Sequence, residues 1–136
     1  IAENFAHKYY DELTAGIDFT ARDIQKIQKT KGLPWEKAKG FDNSAPIGKF
    51  VSKTNLPAMN NLNFHLNINE KTVQKGNTSD LLFSFDKIIA FISQFITLKI
   101  GDLIFTGTPV GVGAVKIGDK LEAFLEGEKL LAFEVK

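Results

Sequence analysis

A chain of 136 residues has room for one domain with a real core, and 43% hydrophobic against 24% charged residues is the balance of a globular protein rather than a disordered one. Seventeen basic residues against sixteen acidic ones leave a formal net charge of +1, too weak a field to draw in nucleic acid or an anionic membrane. The absence of cysteine excludes disulfide frameworks and thiolate metal sites and is compatible with a reducing cytoplasm.

Asp86, Lys87, Gln94, Lys99 and Asp102 break the longest apolar region, residues 81–104, so it does not supply the roughly 20 apolar residues of a bilayer span. The chain opens on Ile1 with neither a charged and apolar leader nor a start methionine, which carries the expectation that an N-terminal part lies elsewhere. There is no internal repeat and no low-complexity tract.

In chain order, Phe5, Tyr9 and Leu13 recur at helical spacing, predicting a short amphipathic helix over residues 3–13 with Asn4 as its cap. His7 has no partner pattern and reads as a surface residue. Ala15, Ile17 and Phe19 alternate with Gly16, Asp18 and Thr20 as a strand does, and residues 21–28 then favour a helix. Asp18 would sit at the strand's end, with Arg22 and Gln25 three apart on one helix face. On pattern alone, a plain capped helix with Thr20 or Asp18 at its N-cap and solvated Arg22 and Gln25 is the better account.

Gly32 and Pro34 close that helix, and residues 36–46 read as a loop or a single helical turn in which Lys37 and Lys39 are ordinary solvated charges. Residues 47–51 form a short strand and 53–61 a loop. Strict alternation over residues 62–69 predicts a strand with Leu62, Phe64, Leu66 and Ile68 inward and His65 on the polar face, turning back at residues 69–71 into a hairpin. Ser84 or Asp86 caps a helix through Phe95 whose apolar stripe calls for burial against a sheet, and residues 98–105 read as a buried strand. That strand leads into Thr106-Gly107-Thr108-Pro109-Val110-Gly111-Val112-Gly113. Its N–H groups and hydroxyls suit a carboxylate or phosphate, although no Walker lysine or following helix accompanies it. Residues 120–136 form a hairpin around Glu126-Gly127-Glu128. The class is α+β, β-rich, with mainly antiparallel strands and two or three short helices.

Taken together, GIDFTARDIQ (16–25), KGLPWEKAKGFDNSAPIG (31–48), LNFHLNINEK (62–71), GNTSDLLFSF (76–85) and GDLIFTGTPVGVG (101–113) resemble the fumarylacetoacetate hydrolase family over nearly the whole chain. The KGLPW and AKxF segments look most like its small acylpyruvate hydrolase and oxaloacetate decarboxylase branch. The resemblance implies a β-rich roll and a single catalytic domain over residues 1–136. It also implies a homodimer and Mg²⁺ or Mn²⁺ held by three carboxylates. Asp18 matches the third metal ligand; the other two belong to a Glu-x-Glu pair upstream of Asp18 that these residues do not contain. Lys39 and Gln25 match catalytic pocket positions, and Arg22, Gly107 and Thr108 match substrate-binding ones.

A hard cation with oxygen ligands would chelate an α-keto acid and stabilise an enolate. The implied reaction is hydrolysis of a carbon–carbon bond in a small acylpyruvate, with oxaloacetate decarboxylation and hydroxymuconate-type isomerisation as alternatives that share the enolate. A catalytically inactive remnant keeping only fold and dimer surface is the non-enzymic reading.

Overall fold

In the computed structural model, which describes residues 1–136, the chain opens with a 3-10 helix, Glu3–Lys8, rather than the α-helix to residue 13 that the spacing predicts. Its cap is Ala2, with no side-chain bond, and Asn4 has no capping role. Only Ala6 is buried, while Phe5 and Tyr9 are more than half exposed, so no continuous apolar face holds a longer helix together. Lys53 takes up carbonyls at its end, Nζ donating to His7 O at 2.7 Å and Tyr10 O at 2.5 Å. Strand β1 (Glu12–Leu13) follows, antiparallel to β2 (Val51–Ser52).

The alternating run at residues 15–19 is tied to residues 44–48. Gly16 bridges Ile47, and Ile17 and Phe19 donate their N–H groups to Pro46 O at 3.0 Å and Ser44 O at 2.8 Å. Helix α1 (Arg22–Lys31) starts at Ala21 without a side-chain cap, so neither Asp18 nor Thr20 caps it. Gly32, at φ 63°, ends it: Gly32 N–H donates to Lys29 O and Leu33 N–H to Gln28 O, the Schellman pattern. A single-turn helix, α2 (Glu36–Lys39), docks through fully buried Ala38, whose carbonyl accepts from Ala21 N–H at 3.0 Å.

Both predicted hairpins form, and they join into one sheet. Strand β3 (Asn63–Ile68) pairs with β4 (Lys71–Asn77) across Asn69 and Glu70, both at positive φ, in the manner of the tight turns that match strand twist. Helix α3 (Phe85–Ile92) intervenes before β5 (Lys120–Leu125) and β6 (Glu128–Glu134), which turn through Glu126 and Gly127, also at positive φ. The strand order is β4-β3-β5-β6, antiparallel throughout. Register sets Phe64, Leu66 and Ile68 opposite Leu125, Ala123 and Leu121, so one face of the sheet is apolar. Leu62, Leu125 and Leu130 form the core cluster, with Leu13, Ala15 and Val51 packed on it.

Two sequence expectations are corrected here. Ser84 does cap α3, accepting from Lys87 N–H at 3.2 Å, but the helix stops at Ile92 and rests on the N-terminal 3-10 helix instead of the sheet. Ile89 is its one buried residue, and Phe91 and Phe95 are 62% and 74% exposed. Residues 98–105 are not a strand. Asp102 folds back on Lys99 (N–H to Lys99 O, 3.1 Å; carboxylate to Lys99 N–H, 2.7 Å) around Gly101 at φ 94°. From Leu103 to Val115 no backbone N–H or carbonyl bonds to another backbone group. Where the run meets the sheet's edge strand β4, the Gln74 side chain bonds it in place of a backbone ladder. The accessible surface agrees: 9622 Å² for 15.1 kDa, against about 7,100 Å² for a folded monomer of that mass.

Candidate active site

Strand-like alternation decides which groups meet. Gly16, Asp18 and Thr20 share one side of their run, and the Phe105 ring lies 2.9 Å from where a Gly16 Cβ would stand. Lys39, carried in by the short helix α2, reaches this side: its Nζ donates to Asp18 Oδ2 at 2.5 Å and to Thr20 Oγ1 at 2.8 Å. The ion-paired side chains are 33% and 46% exposed, so solvent screening leaves the pair about 0–1 kcal/mol of stability. A cation or a substrate oxygen can separate them at little energetic cost.

Arg22 opens α1 beside them. Its Nη1 donates to Gln25 Oε1 at 2.9 Å and it makes no ion pair, which leaves its charge available to an incoming anion. Gln25 is 8% exposed and does not line the cleft; it stands behind Arg22 and fixes that side chain. Lys37 does not line the cleft either.

Across from this group runs the glycine-rich loop. Gly107 sits at φ 125°, a conformation open chiefly to glycine. Thr108 follows, its Oγ1 accepting from Gln74 Nε2 at 3.0 Å. Asp18, Arg22, Lys39, Gly107 and Thr108 all line one cleft of about 1070 Å³, with the apolar face of β3 and β5 as its floor. The structure thus brings five of the six sequence-predicted positions to one space. Thr20 and Gln74 join them unpredicted. Alternation with Asp18 signalled the first; no local pattern signalled the second.

Asp18 brings one carboxylate to this space, and no group of three histidine or carboxylate side chains converges anywhere in the chain. The ammonium resting on Asp18 and Thr20 shows that the spot favours a cation, yet these residues alone do not make a divalent-metal site. Neither His7 nor His65 pairs with a carboxylate. His65 stacks on Phe124, ring centroids 4.4 Å apart. Tyr10 also lines the cleft, and burial, then the neighbouring Asp86 carboxylate, hold its phenol above the ordinary tyrosine range, keeping it protonated.

Comparison with known proteins gives the family and the fold. Residues 2–135 match the family model described as fumarylacetoacetate (FAA) hydrolase C-terminal. The chain is 43% identical over 136 residues to mouse oxaloacetate tautomerase FAHD1, mitochondrial, covering 100% of this chain and 62% of that protein. It is 40% identical over 122 residues to oxaloacetate decarboxylase, mitochondrial, of Dictyostelium discoideum, covering 90% and 56%. The fumarylpyruvate hydrolase of Pseudomonas aeruginosa, solved with Mn²⁺ and pyruvate, superposes with a TM-score of 0.93 at 32% identity over 99% of this chain and 58% of that one. The chain therefore spans about three fifths of the length of the curated relatives it matches.

Proposed function

The chain belongs to the fumarylacetoacetate hydrolase family, and from that premise we propose that it forms the greater part of an enzyme that generates an enolate from a small keto acid, with oxaloacetate the first substrate to test. The observation that carries this reading is the shared cleft: an ammonium at Asp18 and Thr20, an unpaired guanidinium, and a threonine on a glycine turn. In the proposed arrangement Arg22 and the Thr108 hydroxyl receive the substrate carboxylate. Lys39 faces the keto oxygen and stabilises the charge that gathers there when a proton or carbon dioxide departs. Tautomerisation and decarboxylation ask for that stabilisation first. Hydrolysis of an acylpyruvate needs an activated water besides, and neither histidine here is paired to activate one. Hydroxymuconate-type isomerisation remains a companion assay.

No group of three histidine or carboxylate side chains forms around Asp18, so the proposed Mg²⁺ or Mn²⁺ would take its other protein ligands from outside residues 1–136. The proposed homodimer rests on the family resemblance. The chain has no helix long and apolar enough to cross a membrane. The cytoplasmic expectation yields to a mitochondrial one as the location to test, because the relatives at 43% and 40% identity are described as mitochondrial.

The test is turnover by the full-length protein of oxaloacetate, an acylpyruvate and a hydroxymuconate, with and without Mg²⁺ and Mn²⁺. Turnover of oxaloacetate supports the reading; no turnover of any of the three overturns it and favours the inactive remnant.

A further inference from the structure

We propose that Gln74 is a positioning residue that holds the glycine-rich loop on β4 and aims the Thr108 hydroxyl into the cleft. This rests on the reading of the cleft as a keto-acid site. Strand β4 lies at the edge of the sheet, and the loop lies along it. Gln74 Nε2 donates both to Thr108 Oγ1 at 3.0 Å and to Pro109 O at 2.9 Å. A backbone carbonyl only accepts, so the bond to Pro109 fixes which end of the amide faces the loop. The same nitrogen must then donate to Thr108 as well. With a lone pair of Thr108 Oγ1 occupied by that donor, its own hydrogen is directed elsewhere, and Thr108 is among the residues facing the cleft. A hydroxyl held in this way is a donor, the role a carboxylate ligand requires.

Gly111 completes the seating. It sits at φ 104°, and a Cβ there would collide with the Val73 carbonyl oxygen, so the loop's far end lies directly on the β4 backbone. Residues 73 and 74 thus hold the loop at two places, Thr108–Pro109 and Gly111. Leu103 to Val115 have no backbone–backbone hydrogen bond, which makes this side-chain grip their main polar attachment within the chain.

In the full-length protein, Gln74→Leu removes both donors at similar length. The expected result is a roughly tenfold rise in KM for oxaloacetate and in the dissociation constant of pyruvate, with kcat within about threefold. In a Thr108→Val background the same change should add less than about twofold, because the hydroxyl it aims is already gone. Cleavage of the loop over residues 107–112 by elastase should quicken in Gln74→Leu whether or not any substrate is turned over, so loop anchoring is read independently of the enzymatic assignment. Should Gln74→Leu melt well below wild type, Gln74→Glu serves instead: its carboxylate accepts the Thr108 hydrogen and turns the hydroxyl away, again raising KM. Unchanged loop cleavage, unchanged KM, or full additivity with Thr108→Val overturns the proposal. A wild type inactive on every keto acid whose loop still loosens in Gln74→Leu refutes the keto-acid reading and, with it, the aiming of Thr108 at that ligand.

Discussion

Replacing Lys39 by methionine separates catalysis from folding better than any other single change. The side chain keeps its length and apolar stem and loses a charge and two hydrogen bonds, to Asp18 Oδ2 and Thr20 Oγ1. Both members of the ion pair are a third or more exposed, so water replaces the lost partner and the stability cost is about 0–1 kcal/mol. That corresponds to a fall in melting temperature of a few degrees. The cost to rate is of a different order. A fixed donor facing a developing oxyanion is typically worth about 10²–10³ in kcat, or roughly 3–4 kcal/mol of barrier. Steady-state assay of oxaloacetate turnover beside a thermal melt of the same full-length preparation measures both. The reasoning predicts a kcat down by two to three orders of magnitude on a nearly unmoved melt. Activity within about threefold of wild type would remove Lys39 from the chemistry, and a melt lowered by more than about 10 °C would reassign it to structure.

Asp18→Asn should chiefly raise the Mg²⁺ or Mn²⁺ concentration needed for half-maximal activity, read from a metal titration; an unmoved midpoint would show that Asp18 is not a ligand. Gly48→Ala should destabilise by about 1–3 kcal/mol, because a Cβ there meets the Leu130 carbonyl oxygen that accepts from Lys49 N–H at 2.9 Å; chemical denaturation measures it. Asp119 accepts from Lys116 N–H and from Asn69 Nδ2, and these bonds hold its carboxyl below the usual range. A lowered folded-state value means stability that is fully present above the unfolded-state pKa, near 4, and lost as pH falls through the folded one. Asp119→Ala should therefore be less stable than wild type at pH 7, and the gap should close in melts taken as pH drops below about 4.

Local features of the sequence announced the hairpins and concealed the site's pairings. Alternation at Leu62, Phe64, Leu66 and Ile68 and the turn residues Asn69 and Gly127 act over a few positions, so β3, β4, β5 and β6 were legible. Lys39, by contrast, reads as a solvated charge until the chain brings it to Asp18, 21 residues away, and Gln74 meets Thr108 across 34. Only the ordered set of family segments pointed to Lys39, and nothing pointed to Gln74. Gln25 shows the converse: its motif placed it in the pocket, and the fold set it one layer behind, bonded to Arg22. The apolar spacing at residues 98–105 read as a buried strand, whereas the fold forms no strand there and leaves Ile100, Leu103 and Phe105 exposed.

The same stretch has a practical corollary. Amides and carbonyls from Leu103 to Val115, with bare Val110 among them and bare Ile100 and Ile117 on either side, form an adhesive seam on the cleft's own wall. Whatever sequence zips onto that seam also sets the shape of the chamber behind it. Polypeptide restricted to residues 1–136 should therefore self-associate and lose its catalytic geometry together, and a variant rescued for solubility by charges along the seam would not thereby regain turnover.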